Sequence, residues 1–69
     1  MSRDEEQMLR SVQSDVPSIV LLLQWIVSDF TVKSSDPQWV WKNKVWSEAA
    51  EANRALKSLL ALVNADAPE

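Results

Sequence analysis

The sequence predicts an all-α fold, a small helical hairpin, and three observations carry that expectation. No glycine occurs anywhere in the 69 residues, so the tight primed turns that join β-strands lose their easiest solution. Apolar side chains recur at helical spacing in two long segments. Between them stands Ser35-Asp36-Pro37, a helix-start signature in which a capping residue precedes proline at the first helical position. The expected layout is a single unit over 1–69, with a short N-terminal helix (about 3–13) and two longer antiparallel helices (about 15–31 and about 36–65). Oligomerisation or a partner then completes the hairpin into a helical bundle.

The first element starts at a capping box. Ser2 is followed three residues later by Glu5, and Asp4, Glu5 and Glu6 fill the first turn, where unpaired amide dipoles favour negative charge. Met8, Leu9 and Val12 give it a short apolar edge. A helix of under four turns is weak alone, so this one is expected to be helical only where it packs.

A break is expected at Ser14 to Pro17. Ser14 or Asp15 can cap a new helix, and Pro17 then falls in its first turn, where a missing N–H costs no intrahelical bond. On a helical wheel Val16, Ile19, Val20, Leu22, Leu23, Ile26, Val27 and Phe30 fill one broad arc, Leu21 and Trp25 form a second apolar pair, and Gln24, Ser28 and Thr31 make a thin polar strip. A helix apolar nearly all round is a buried one. The β-branched residues of Ile19–Val27 also permit a buried strand, but the run leads into a capped break and is read as helix.

In the third helix Gln38 takes the fourth position of a capping box counted from Ser35, and the alanine- and leucine-rich stretch after Glu48 has high intrinsic propensity. Trp41, Val45, Ala49, Ala52, Leu56, Leu59 and Val63 recur at spacings of four and three, which is the pattern of a packing seam. Trp39 and Trp46 point about 20° apart, and Trp41 lies on nearly the opposite side. One neighbouring helix cannot cover all three. The seam side, with Trp41 and Val45, is therefore assigned to the preceding helix, and Leu21, Trp25, Trp39, Trp46 and Leu60 are the candidate protein interface. The competing arrangement folds the connecting segment back, with Phe30 and Val32 over Trp39, as a minor intramolecular core.

Composition narrows the function classes. A 7.8 kDa chain hides only roughly 60% of its extended surface and exposes about 4,400 Å² when compact. Without cysteine or histidine, disulfides and the usual soft metal ligands are not available to help it. A 46% apolar and 25% charged composition argues for a folded chain rather than a disordered one. Catalysis lacks its common nucleophiles and bases. The acidic groups have structural explanations, since Asp4, Glu5 and Glu6 sit in a first turn and Glu48 and Glu51 lie near Arg54 and Lys57. Phosphate and dinucleotide loops need glycines. No enzyme activity, cofactor or metal is expected.

The leading expectation is a protein-protein interaction or oligomerisation module, a small regulator or a subunit of a larger assembly, whose partner is a second copy of itself or a larger protein. One alternative is a nucleic-acid-binding helical dimer using Lys42, Lys44, Arg54 and Lys57, against which stand a net charge of -3 and the interruption by Glu48 and Glu51. The other is a membrane-surface peptide, although the Ile19–Val27 run is less than half of the roughly twenty residues a span requires. The acidic start, Arg3-Asp4-Glu5-Glu6, is unlike a secretory leader, so an intracellular, cytoplasmic protein is expected.

Overall fold

The computed structural model describes residues 2–65, which form an antiparallel hairpin of two helices with no sheet. Helix α1 spans Arg3–Asp29 and helix α2 spans Trp39–Asn64, joined by residues 30–38. The molecule is a rod of 53 × 18 × 15 Å. Hydrogen bonds between the helices set the register. Gln13 Nε2 donates to the Val63 carbonyl at 3.4 Å, Asn53 Nδ2 to Gln24 Oε1 at 2.9 Å, and the Trp46 indole Nε1 to the Val27 carbonyl at 3.1 Å. The turns of α1 before Gln13 consequently reach past Asn64.

The expected break at Ser14 to Pro17 is absent. The short N-terminal helix and the one after it are a single helix with Pro17 inside it. Proline there removes one amide donor and crowds the carbonyl four residues back, at a cost of about 3 kcal/mol. What offsets that cost is the apolar stripe. Val12, Val16, Val20, Leu23 and Val27 recur at helical spacing straight through Pro17, and all are half-buried or buried. A break would turn the turns before it away from that line. The orphaned Gln13 carbonyl lies on an exposed residue, where water can satisfy it. At the start of α1 the Ser2 hydroxyl accepts from the Glu5 amide at 3.2 Å, with Asp4, Glu5 and Glu6 in the first turn.

The inner ends of both helices also differ from expectation. α1 stops at Asp29 rather than near Thr31, because Phe30 adopts an extended conformation (φ -71°, ψ 107°). α2 starts at Trp39 rather than at Asp36 or Pro37, and the capping box expected between Ser35 and Gln38 does not form, since Gln38 precedes the helix without a side-chain cap. Asp36 instead organises a turn. Its amide donates to the Lys33 carbonyl, its own carbonyl accepts from the Trp39 amide, and its carboxylate accepts from the Gln38 amide at 2.8 Å. The stop sequence expected for α2 at its far end, from Asp66 onward, lies outside the described residues.

Candidate interaction surface

The face that α2 turns toward α1 follows from which of its residues are covered. Ala49 and Asn53 are buried, and Lys42, Val45, Trp46, Ala50, Leu56, Leu60 and Val63 are half-buried. Taking 100° per residue, this face is centred about 50° away from the line Val45, Ala49, Ala52, Leu56, Leu59, Val63. Of the expected seam, Val45, Ala49, Leu56 and Val63 lie toward α1, whereas Trp41, Ala52 and Leu59 are exposed.

The rotation corrects the expected division of the tryptophans. Trp46, assigned to a contact outside the hairpin, is half-buried and hydrogen-bonded to the α1 backbone at Val27. Trp41, assigned to the seam, is 61% exposed. Leu60, a candidate interface residue, is half-buried on the face toward α1. Leu21, Trp25 and Trp39 are exposed, with Leu21 and Trp25 on the back of α1.

A cross-helix polar group accounts for the rotation. Gln24 Oε1 accepts from Asn53 Nδ2 at 2.9 Å and from Lys57 Nζ at 3.3 Å, while Gln24 Nε2 donates to Ser28 Oγ at 3.1 Å. Asn53 is only 6% exposed, and a buried amide has to find partners. Its Oδ1 has none within the hairpin. The sequence did carry a signal for this pair. Lys42, Trp46, Ala49, Asn53, Leu56, Leu60 and Val63 also recur at spacings of four and three, and a polar residue in the middle of such a line is a known device for fixing register.

These contacts give the hairpin two unlike sides. Trp46, Asn53 and Lys57 of α2 meet Val27 and Gln24 of α1 on one, where Arg54 is the next residue outward. On the other, Leu23 of α1 and Trp41, Lys44, Val45, Glu48, Ala49 and Ala52 of α2 line an open groove of about 610 Å³. By helical spacing Ile19, Leu22 and Ile26 of α1 and Leu59 of α2 border that same side. Leu22 is 58% exposed and Ile19 and Leu59 are exposed as well. The result is a mainly apolar strip along the paired helices, with alanines at its middle and Lys44 and Glu48 at its α2 edge. A second, smaller hollow lies at Trp25, Ile26, Asp29 and Phe30.

The charged groups do not converge in the same way. Lys42 pairs with the Asp36 carboxylate and Lys57 with Gln24, so two of the four cations expected to form a basic surface are engaged locally. The Lys42 ammonium beside Asp36, and then the Gln38 amide, hold the Asp36 carboxyl below its ordinary value of 3.8. Among the described residues no group of acidic side chains is placed to hold a metal ion, and no helix is long and apolar enough to cross a membrane. Comparison with protein-family models, with curated proteins and with solved structures finds no match to this chain.

Proposed function

We propose that this protein is a non-enzymatic protein-protein interaction or oligomerisation module, acting in the cytoplasm as a small regulator or as a subunit of a larger assembly. The observation that carries this reading is an incomplete core. Among the described residues the most buried apolar side chains are Val16 at 8% and Ala49 at 6% exposure, and no side chain is fully enclosed. Meanwhile Leu21, Leu22, Trp25, Trp41 and Leu62 are largely exposed. A folded monomer rarely leaves so many large apolar groups in water, and surfaces of this kind mark contact sites. Large aromatics dominate the energy of such contacts.

Light scattering after size-exclusion chromatography, combined with thermal melts over a hundredfold range of concentration, tests the reading. The expected result is a particle heavier than one chain with a melting temperature that rises with concentration. A chain with little helix until a protein partner is added would also support it. A cooperative melt of a 7.8 kDa species, identical at every concentration, would remove the reason for calling it an interaction module.

A further inference from the structure

We infer that the strip formed by Ile19, Leu22, Leu23, Trp41, Ala52 and Leu59 is the docking face for a second copy of this chain, so that two hairpins close into a four-helix bundle; the inference rests on the interaction reading and names its surface and partner. Three observations select this face and this occupant. The first is area. One hairpin exposes 5696 Å², so two held apart expose twice that, whereas a compact protein of the doubled mass exposes about 7,300 Å². The gap is about 4,000 Å², and closing even half of it reaches the size of obligate homodimer interfaces.

The second observation is shape. The strip runs along both helices at once, and its centre is Ala49 and Ala52 on α2, so another pair of helices can approach closely there, with the bulk of Trp41 toward one end and Leu59 toward the other. The third is chemistry. The opposite side carries the Gln24, Asn53 and Lys57 hydrogen bonds with Arg54 beside them, and burying it against an apolar surface would strip water from two cations. The charged residues of the groove, Lys44 and Glu48, are opposite in sign and one turn apart at its α2 edge, where they can pair with each other and stay in water as the apolar residues are covered. A self-complementary surface is what a two-fold dimer requires, and a mainly apolar strip whose two edge charges, Lys44 and Glu48, cancel presents no net charge to its own copy.

The chain contains no cysteine, so single introduced cysteines report where two copies meet. Ala52 lies at the middle of the strip, close to where a two-fold axis across it must pass, and Arg54 is exposed on the other side. Under mild oxidation the full-length Ala52→Cys variant is expected to become a covalent dimer at least tenfold faster than Arg54→Cys. In parallel, Leu22→Glu, which changes a side chain already exposed in the hairpin, is expected to weaken self-association at least tenfold in sedimentation equilibrium while the helical circular-dichroism spectrum persists. A dimeric mass with cross-linking through Arg54→Cys or Leu21→Cys instead of Ala52→Cys would overturn this face and leave the interaction reading standing. A poorly helical monomer would overturn the second copy as occupant and still leave that reading. A sharply melting monomer at every concentration would overturn both.

Discussion

Trp41 and Trp46 lie five residues apart on α2 and meet different surroundings. Trp46 rests against α1 with its indole N–H on the Val27 carbonyl, and Trp41 stands 61% exposed above the groove on the other side. Apolar spacing alone favours the opposite assignment, because Trp41 continues an unbroken apolar line and Trp46 does not. The polar groups decide the matter. If α2 turned to bring Trp41, Ala52 and Leu59 onto α1, Asn53 and Trp46 would leave their acceptors on Gln24 and Val27, and each lost bond at a covered site costs about 1 to 3 kcal/mol. Apolar area on the two flanks is nearly interchangeable, whereas directed hydrogen bonds are not. The apolar face is left exposed because the polar face is the one that fits α1.

The largest expected effect separates these two tryptophans. Trp46→Ala removes packing and a hydrogen bond inside the hairpin, and since the side chain is only half-buried the loss should be about 2 to 4 kcal/mol, toward the lower part of the range for core tryptophans. That loss should appear as reduced helicity at every protein concentration. Trp41→Ala should leave the helical content of the hairpin intact and reduce the concentration dependence of the melting temperature. Equal losses with the same dependence on concentration in the two variants would break the comparison.

The α1 residues of both sides follow Pro17, and whether the turns before it continue the same helix is tested by Pro17→Ala. Restoring an amide donor in the interior of α1 should raise stability by about 1 to 3 kcal/mol in chemical denaturation. If Pro17 were instead at the first position of a separate helix, the substitution would be neutral or slightly unfavourable, since proline is well suited to that place. A stabilised variant therefore sharpens the comparison, and a neutral one returns the chain to three helices.

Pro17 also shows where sequence reading succeeds and where it stops. Ser2 and Glu5 identify the start of α1 because a cap is a local interaction, and the hairpin itself follows from two apolar periodicities and the absence of glycine. The residues around Pro17 carry every local mark of a helix start. Their outcome depends on α2, whose apolar face continues alongside Val20 and Val16 as far as Gln13. The same limit applies to the candidate surface. Leu21, Trp25 and Trp39 are exposed as large side chains, but the exchange of Trp41 for Trp46 turns on a contact between Gln24 and Asn53, 29 residues apart in sequence. Gln24 reads from sequence as one residue of a thin polar strip, and Asn53 is one polar residue within an alanine- and leucine-rich stretch. Only their meeting makes them a register device.

A smaller effect probes that device directly. Asn53 is buried with Oδ1 unpartnered, so Asn53→Leu removes an unsatisfied acceptor and adds apolar area at the centre of the α1 and α2 contact. The lost bond to Gln24, whose Oε1 keeps Lys57, offsets these gains, so total stability should change by less than about 1 kcal/mol. The substitution should loosen the rotation of α2, read as faster hydrogen exchange of the Trp46 indole N–H. If exchange at Trp46 is unchanged or slower, packing rather than the Gln24 and Asn53 pair fixes which tryptophan faces α1.

The smallest expected effect lies at the connection. Asp36 accepts from Lys42 and from the Gln38 amide, and these two interactions lower its carboxyl below 3.8, with slight burial opposing them. Because the folded chain holds the charged form, the contribution to stability is complete above the ordinary carboxylate value and is lost as pH falls through the lowered one. A single partly exposed pair changes total stability little, so the sensitive measurement is the carboxyl titration of Asp36 itself by nuclear magnetic resonance. Its midpoint should lie below 3.8 in the native chain and move upward in Lys42→Ala. The contact that Lys42 makes with Asp36 is local to the start of α2 and does not involve the Trp41 strip. Self-association should therefore be the same in Lys42→Ala as in the native chain. A shift in association would show that the turn at Asp36 positions Trp41 for its partner, tying the two sides of the hairpin together through the loop that joins them.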